Sequence, residues 1–232
     1  MCAYDPTETY KKISFRNIPH KVRLWKIEKI LQNECRGKNV TNYVDIGCAS
    51  GFITHRIKQL LRIPHAYGTD ALSDYIKDAA QKYPDISFGI MNLNTRIAVN
   101  KEYDLVTCFE TLEHVGRLET ALSNIHQLTA VNGGICVISV PIETGFIGII
   151  KYLLKVKIYR DKLNEIGEVH QKQYFKSLLK GEDISKYRNP QKDLWWDHFG
   201  FNDKTLENYF TKRNIKYKTK TFFTTRFIII NN

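Results

Sequence analysis

Between residues 42 and 141 the chain alternates between two hydrophobic periodicities. Short apolar runs, NYVDI (42–46), HAYGTD (65–70), ISFGIMNL (86–93), YDLVTCF (103–109) and ICVISVP (135–141), have the character of strands buried in a sheet. Between them lie segments with apolar positions at helical spacing. In GFITHRIKQLLR (51–62), Ile53, Ile57, Leu60 and Leu61 fall on one face. LSDYIKDAAQKY (72–83) and RLETALSNIHQLTA (117–130) are also helical, the second stopped by Asn132, Gly133 and Gly134. Such alternation predicts an α/β, doubly wound, mostly parallel sheet with helices on both faces. Right-handed crossovers then put a ligand crevice at the carboxyl ends of the strands.

The flanks break the pattern. HKVRLWKIEKILQNEC (20–35) predicts an amphipathic helix through Val22, Trp25, Ile27, Ile30 and Leu31, so residues 1–40 read as an N-terminal helical cover. After Pro141 the alternation stops for about sixty residues. Residues 142–200 read as a lid or substrate-recognition insertion within a single domain spanning 1–232. Its first part, IETGFIGIIKYLLKVKIYR (142–160), is too short to cross a bilayer. It suits a lid helix packed on the site or, alternatively, a peripheral membrane contact. Trp195 and Trp196, among basic residues, suit stacking on a base or a sugar. A helix at 202–213 and the runs IKYKTKTFFTT and RFIII predict an antiparallel C-terminal hairpin at the sheet edge, which makes seven strands.

The first strand leads into a glycine loop, VDIGCASG. A dinucleotide fingerprint starting at Gly47 requires glycines where Ala49 and Phe52 stand, and a triphosphate loop requires a Gly-Lys pair that GFIT lacks. What remains is Asp45-x-Gly47-x-x-x-Gly51. An acid, Asp70, closes the second strand about twenty residues on, placed to accept hydrogen bonds from ribose hydroxyls. FETLEHV (109–115) follows the fourth strand and GGICVISVP leads into the fifth.

These segments together resemble the class I S-adenosylmethionine-dependent methyltransferases of type 11, 12 or 23. In that family an acid precedes a G-x-G-x-G loop, here with Ala49 as the middle residue, and a Leu-Glu-His turn follows the fourth strand. The resemblance is continuous over 42–141, and it implies a Rossmann-like fold, methyltransferase activity and S-adenosylmethionine as the methyl donor. It further implies that Asp45, Gly47, Cys48, Ala49 and Gly51 line the methionine and ribose moieties, with Asp70 and Ala71 at the ribose. Asn92 and Leu93 fall at the adenine, and Phe109 and Glu110, beside Cys108, at the sulfonium.

Methyl transfer is an in-line displacement that often needs a base for the acceptor's proton. His114, His198 and Glu113 are the catalytic candidates. If the FETLEHV turn is helical, Glu110, Glu113 and His114 share a face, and with His198 they resemble the ligand set of metal-dependent small-RNA 2′-O-methyltransferases. Metal binding is the lesser reading, because Leu-Glu-His turns also occur in members without metal.

Composition narrows the partner more than the chemistry. The net charge of +11 favours an anionic partner, although the lysines are spread along the chain. The leading expectation is O-methylation of a small, glycan, sugar-nucleotide or lipid-linked acceptor. RNA methylation is the alternative, and a cofactor-binding regulator without catalysis is the third. Five cysteines in no ligand spacing are expected to be reduced thiols. With no apolar leader in MCAYDPTETYKK, a cytoplasmic location is expected. Nothing in the sequence bears on oligomeric state.

Overall fold

The computed structural model describes residues 17–98, 101–158, 167–188, 194 and 198–232. The chain runs α1 (Ile18–Glu34), β1 (Asn42–Ile46), α2 (Phe52–Leu61), β2 (His65–Asp70), α3 (Ser73–Lys82), β3 (Ser87–Ile90) and β4 (Leu105–Phe109). It continues through α4 (Leu118–Leu128), β5 (Ile135–Pro141), α5 (Gly145–Ile158), α6 (Gly167–Lys180), α7 (Lys204–Lys212), β6 (Lys218–Phe222) and β7 (Thr225–Asn231). The seven strands are ordered β3-β2-β1-β4-β5-β7-β6, and the first five are parallel. β7 pairs antiparallel to both β5 and β6, so the C-terminal hairpin closes one edge as expected.

The sheet has a core on each face. One is built by Val44, Val106, Leu122 and Ile125 with Phe201 and Phe210, the other by Tyr43, Ile57 and Leu105 with Ile27, Ile30 and Leu31 of α1. β4 and β5 are buried along their whole length, which explains their unbroken apolar character. Strand order reverses at β1, whose two neighbours are β2 and β4. The crevice therefore opens beyond the carboxyl ends of β1 and β4, at the topological switch point.

Three expectations change. Trp25 is not on the buried face of α1: it is 51% exposed and tilts against Phe222, because the stripe that packs is Ile27, Ile30 and Leu31. β3 ends at Ile90 instead of running to Leu93, since Asn92 Oδ1 accepts the Asn94 N–H and turns the chain. No described residue of α5 is among those that line the crevice. The helix packs on α6 through Tyr152, Tyr174 and Leu178, while Phe146, Ile150, Leu153 and Leu154 of its other face are exposed. No described helix is long and apolar enough to cross a membrane. Cys35, Cys48, Cys108 and Cys136 are buried free thiols. Cys2, Trp195, Trp196 and the first part of the expected N-terminal cover lie outside the described residues.

Asp45 joins the two sides of the sheet's centre. Its Oδ1 accepts the Thr107 hydroxyl of β4 and its Oδ2 the Thr54 hydroxyl of α2, both at 2.7 Å. Burial pushes this carboxyl up to about 6, against the lowering effect of the two hydroxyls. The folded state thus holds the proton more tightly than the unfolded chain. The stabilisation is complete below about pH 4 and is lost as the pH rises through about 6, a change on the order of 3 kcal/mol. Asp45→Asn keeps the protonated acid's one donor and one acceptor. Urea unfolding between pH 4 and 7 is expected to show this slope in the native chain and not in the variant; parallel curves would remove Asp45 as its source.

Candidate active site

A cavity of about 530 Å³ opens at the carboxyl ends of β1, β2 and β4. The loop between β1 and α2 forms one wall. Gly47, Ala49 and Gly51 have φ of 76°, 45° and 78°, alternating with residues of ordinary backbone to make a tight, inward-facing turn. Gly47 and Cys48 donate their N–H groups to the Thr69 carbonyl of β2 at 2.7 and 2.9 Å, strapping the loop to the neighbouring strand. Asp70 completes the strap: its Oδ2 accepts the Ala49 N–H at 3.0 Å and its Oδ1 the Leu72 N–H at 2.9 Å. Burial raises the Asp70 carboxyl while the bonds from Leu72, Ala49 and Ala71 oppose that rise.

Asp45, Gly47, Cys48, Ala49, Asp70, Ala71, Asn92, Leu93, Phe109 and Glu110 all line the cavity, with Tyr75 and Met91 adding apolar surface between the β2 and β3 ends. Gly51 supports the wall from behind, where an added Cβ would meet the Phe88 ring at 2.9 Å. Cys108 is fully buried in the sheet and does not reach the cavity; β4 turns its neighbour Phe109 there instead.

The opposite wall carries the titratable groups. After Phe109 the chain bends at Glu110, whose φ is 49°, and only Leu112–His114 forms a helical turn. Glu110 is therefore outside that turn and points to other partners: Arg23 of α1 at 2.9 Å and the Ser139 hydroxyl of β5 at 3.0 Å. Glu113 is buried, and its Oε2 has no hydrogen-bond partner among the described residues. Burial first, and then the Glu110 carboxylate, push its carboxyl well above the usual range.

His114 and His198 meet edge to face, with ring centroids 5.2 Å apart. Donor atoms of Glu113, His114 and His198 lie within 4.8 Å of one another, and Glu110, which the spacing adds to them, is not part of that group. The four-residue ligand set expected from the turn is thus reduced to three among the described residues. His20 of α1 also lines the cavity, whereas His170 is exposed on α6. Leu194 and His198 are the described residues of the 142–200 insertion that line the cavity.

Two participants escape a reading of the sequence. Arg23 looks like one more lysine-or-arginine position on the wet side of α1, and nothing local marks its partner eighty-odd residues away. Glu143 follows β5 by two residues and is 5% exposed; its Oε1 is 3.0 Å from His198 Nδ1. Its place just past the carboxyl end of a central strand is the one signal that pointed to it.

Residues 44–135 match the family model described as a methyltransferase domain. The 235L protein of Invertebrate iridescent virus 6, a methyltransferase by name, is 28% identical over 112 residues, covering 48% of this chain and 42% of that protein. The match thus spans less than half the length of the curated relative. Among solved structures, magnesium protoporphyrin IX methyltransferase from Synechocystis PCC 6803 superposes with a TM-score of 0.60 at 13% identity, covering 97% of this chain and 92% of that one. The N-methyltransferase NodS from Bradyrhizobium japonicum WM9 gives 0.57 at 13% identity, with 100% and 94% covered. Both were solved with S-adenosyl-homocysteine bound, and at these identities the likeness shows the fold. Residues 44–135 of the chain thus carry a methyltransferase domain, and its seven-stranded topology gives the chain the fold of solved S-adenosylmethionine-dependent methyltransferases.

Proposed function

We propose that this protein methylates a hydroxyl group of a small, glycan, sugar-nucleotide or lipid-linked acceptor, with His198 as the base. The observation that carries this reading is the pairing of an imidazole wall with the glycine-loop wall across one cavity. The residues suit the donor. The Asp70 carboxylate sits at the end of β2 for ribose hydroxyls, and Tyr75, Met91 and Leu93 offer apolar surface for a base. S-adenosylmethionine supplies an electrophilic methyl group on a sulfonium, and the protein's part is to hold the acceptor in line and remove its proton. An alcohol is a poor nucleophile until that proton leaves. His198 and His114 line the same cavity with ring centroids 5.2 Å apart, which supports an imidazole as the acceptor of that proton. The exposed apolar stripe of α5 supports a lipid-linked acceptor within the proposed range.

The test is transfer of labelled methyl into cell extract fractionated into small-molecule, glycan, lipid and RNA pools, with product linkage identified by mass spectrometry. Methyl ethers in one of the first three pools are the expected outcome. His198→Ala should lower kcat by about 10²-fold or more while leaving donor affinity within a few-fold, as removal of a general base does. Label entering RNA, abolished by a chelator and restored by magnesium, would instead favour the metal-assisted RNA reading. N-methyl products would overturn the hydroxyl acceptor.

A further inference from the structure

We infer that Glu143 is a positioning residue of this site: it holds His198 with Nδ1 protonated, so that Nε2 is the nitrogen offered to the acceptor, and it ties that arrangement to α5. The inference rests on the reading of His198 as the base. Three donors converge on the one buried carboxylate. His198 Nδ1 and Lys151 Nζ are each 3.0 Å from Oε1, and Lys155 Nζ is 3.3 Å from Oε2. An ionised carboxylate has no proton to give. A neutral His198 must therefore carry its hydrogen on Nδ1 to make this bond, which leaves the Nε2 lone pair as the base.

The ionised state has its own physical cause. Burial disfavours the charge, yet the bond to His198, followed by the Lys155 and Lys151 ammonium groups, outweighs it and draws the carboxyl down to about 2. Lys151 and Lys155 sit one turn apart on α5, so both reach the same carboxylate from one face of the helix. Glu143 precedes that helix and follows β5, an interior strand of the sheet. The carboxylate is thus fixed by the strand behind it and by the helix beside it, while His198 arrives from a distant part of the chain. In this arrangement the start of the 142–200 insertion, Glu143 and α5, orients a base that comes from its far end.

A bland alternative is that Glu143 only anchors α5 through its two lysines. Two variants separate the readings. Glu143→Ala removes the acceptor, and the Lys151→Ala/Lys155→Ala double variant loosens α5 while leaving the carboxylate on His198. With ¹⁵N-labelled histidine and no acceptor present, NMR of the native protein is expected to show His198 protonated on Nδ1. Glu143→Ala should lose that signature and lower kcat by about 10- to 100-fold on the acceptor pool that takes label, with S-adenosylhomocysteine affinity changed less than two-fold. The double lysine variant should melt earlier but keep the Nδ1 signature and most of kcat. The inference fails if Glu143→Ala keeps the signature, or if it keeps full kcat where His198→Ala does not. If His198→Ala itself keeps full kcat, it is the reading of His198 as the base that fails, and the two failures are thereby told apart.

Discussion

Asp70→Ala is expected to weaken binding of S-adenosylhomocysteine by about 100-fold or more. Two losses add in this variant. In the proposed ribose role the carboxylate offers charged acceptors to the hydroxyls, and each hydrogen bond to a charged group is worth roughly 1.5–3 kcal/mol. It also receives the Ala49 and Leu72 N–H groups, so its removal strands two backbone donors next to the glycine loop. The loop then loses one of its straps to β2, keeping only the bonds of Gly47 and Cys48 to Thr69. Asp70→Asn sorts the two losses, since its amide oxygen can still accept one backbone N–H while the charge is gone. Isothermal titration of both variants is the measurement. If Asp70→Ala binds as tightly as the native protein, the ribose role of Asp70 is wrong. If the two variants lose affinity equally, the charge and not the strap is responsible.

How far the sequence foretold this site depends on the distance over which each residue acts. The strands, their order of appearance and the glycine loop follow from local patterns, and Asp45, Gly47, Asp70, Phe109 and His114 all sit where those patterns place them. The shortened β3 was hidden because Asn92 ends it by a side-chain turn that no hydrophobic period reports. The grouping of Glu110 with Glu113 and His114 assumed a helix beginning right after β4. A residue of positive φ intervenes, and its carboxylate is claimed by Arg23 from α1. Glu143 and Arg23 act across 55 and 87 positions of chain, on His198 and Glu110 respectively. Such pairings are set by the closing of the sheet and the packing of α1 over it. One-dimensional spacing carries no trace of them. His198 was legible as a candidate but its partner was not, for the same reason.

Gly47→Ala should be among the most damaging single substitutions in the protein. A Cβ at this position would stand 2.1 Å from Thr111 Oγ1, 2.5 Å from its Cγ2 and 2.8 Å from its Cβ, and Gly47 has a φ of 76°. The glycine is thus required by the close approach of the glycine loop to the turn after β4, the same turn that carries Glu113 and His114. Thr111 cannot simply rotate out of the way, because its own Cβ is part of the clash and its hydroxyl bonds the Phe109 carbonyl at 3.0 Å. Backbone strain alone accounts for about 1 kcal/mol in such a position. The clash adds the cost of overpacking, typically another 1–3 kcal/mol, and it displaces both walls of the cavity together. Gly133 supplies the control. Its φ is 79°, yet an added Cβ there has nothing within 4 Å, so Gly133→Ala isolates the strain. Thr111→Gly in the Gly47→Ala background removes the clash and leaves the strain. Thermal unfolding and S-adenosylhomocysteine titration of the set should rank Gly47→Ala as the worst in both measures. The double variant should recover most of the stability that separates Gly47→Ala from Gly133→Ala. If Gly47→Ala is no worse than Gly133→Ala, the loop and the turn are not in the contact described, and the two walls of the site move independently.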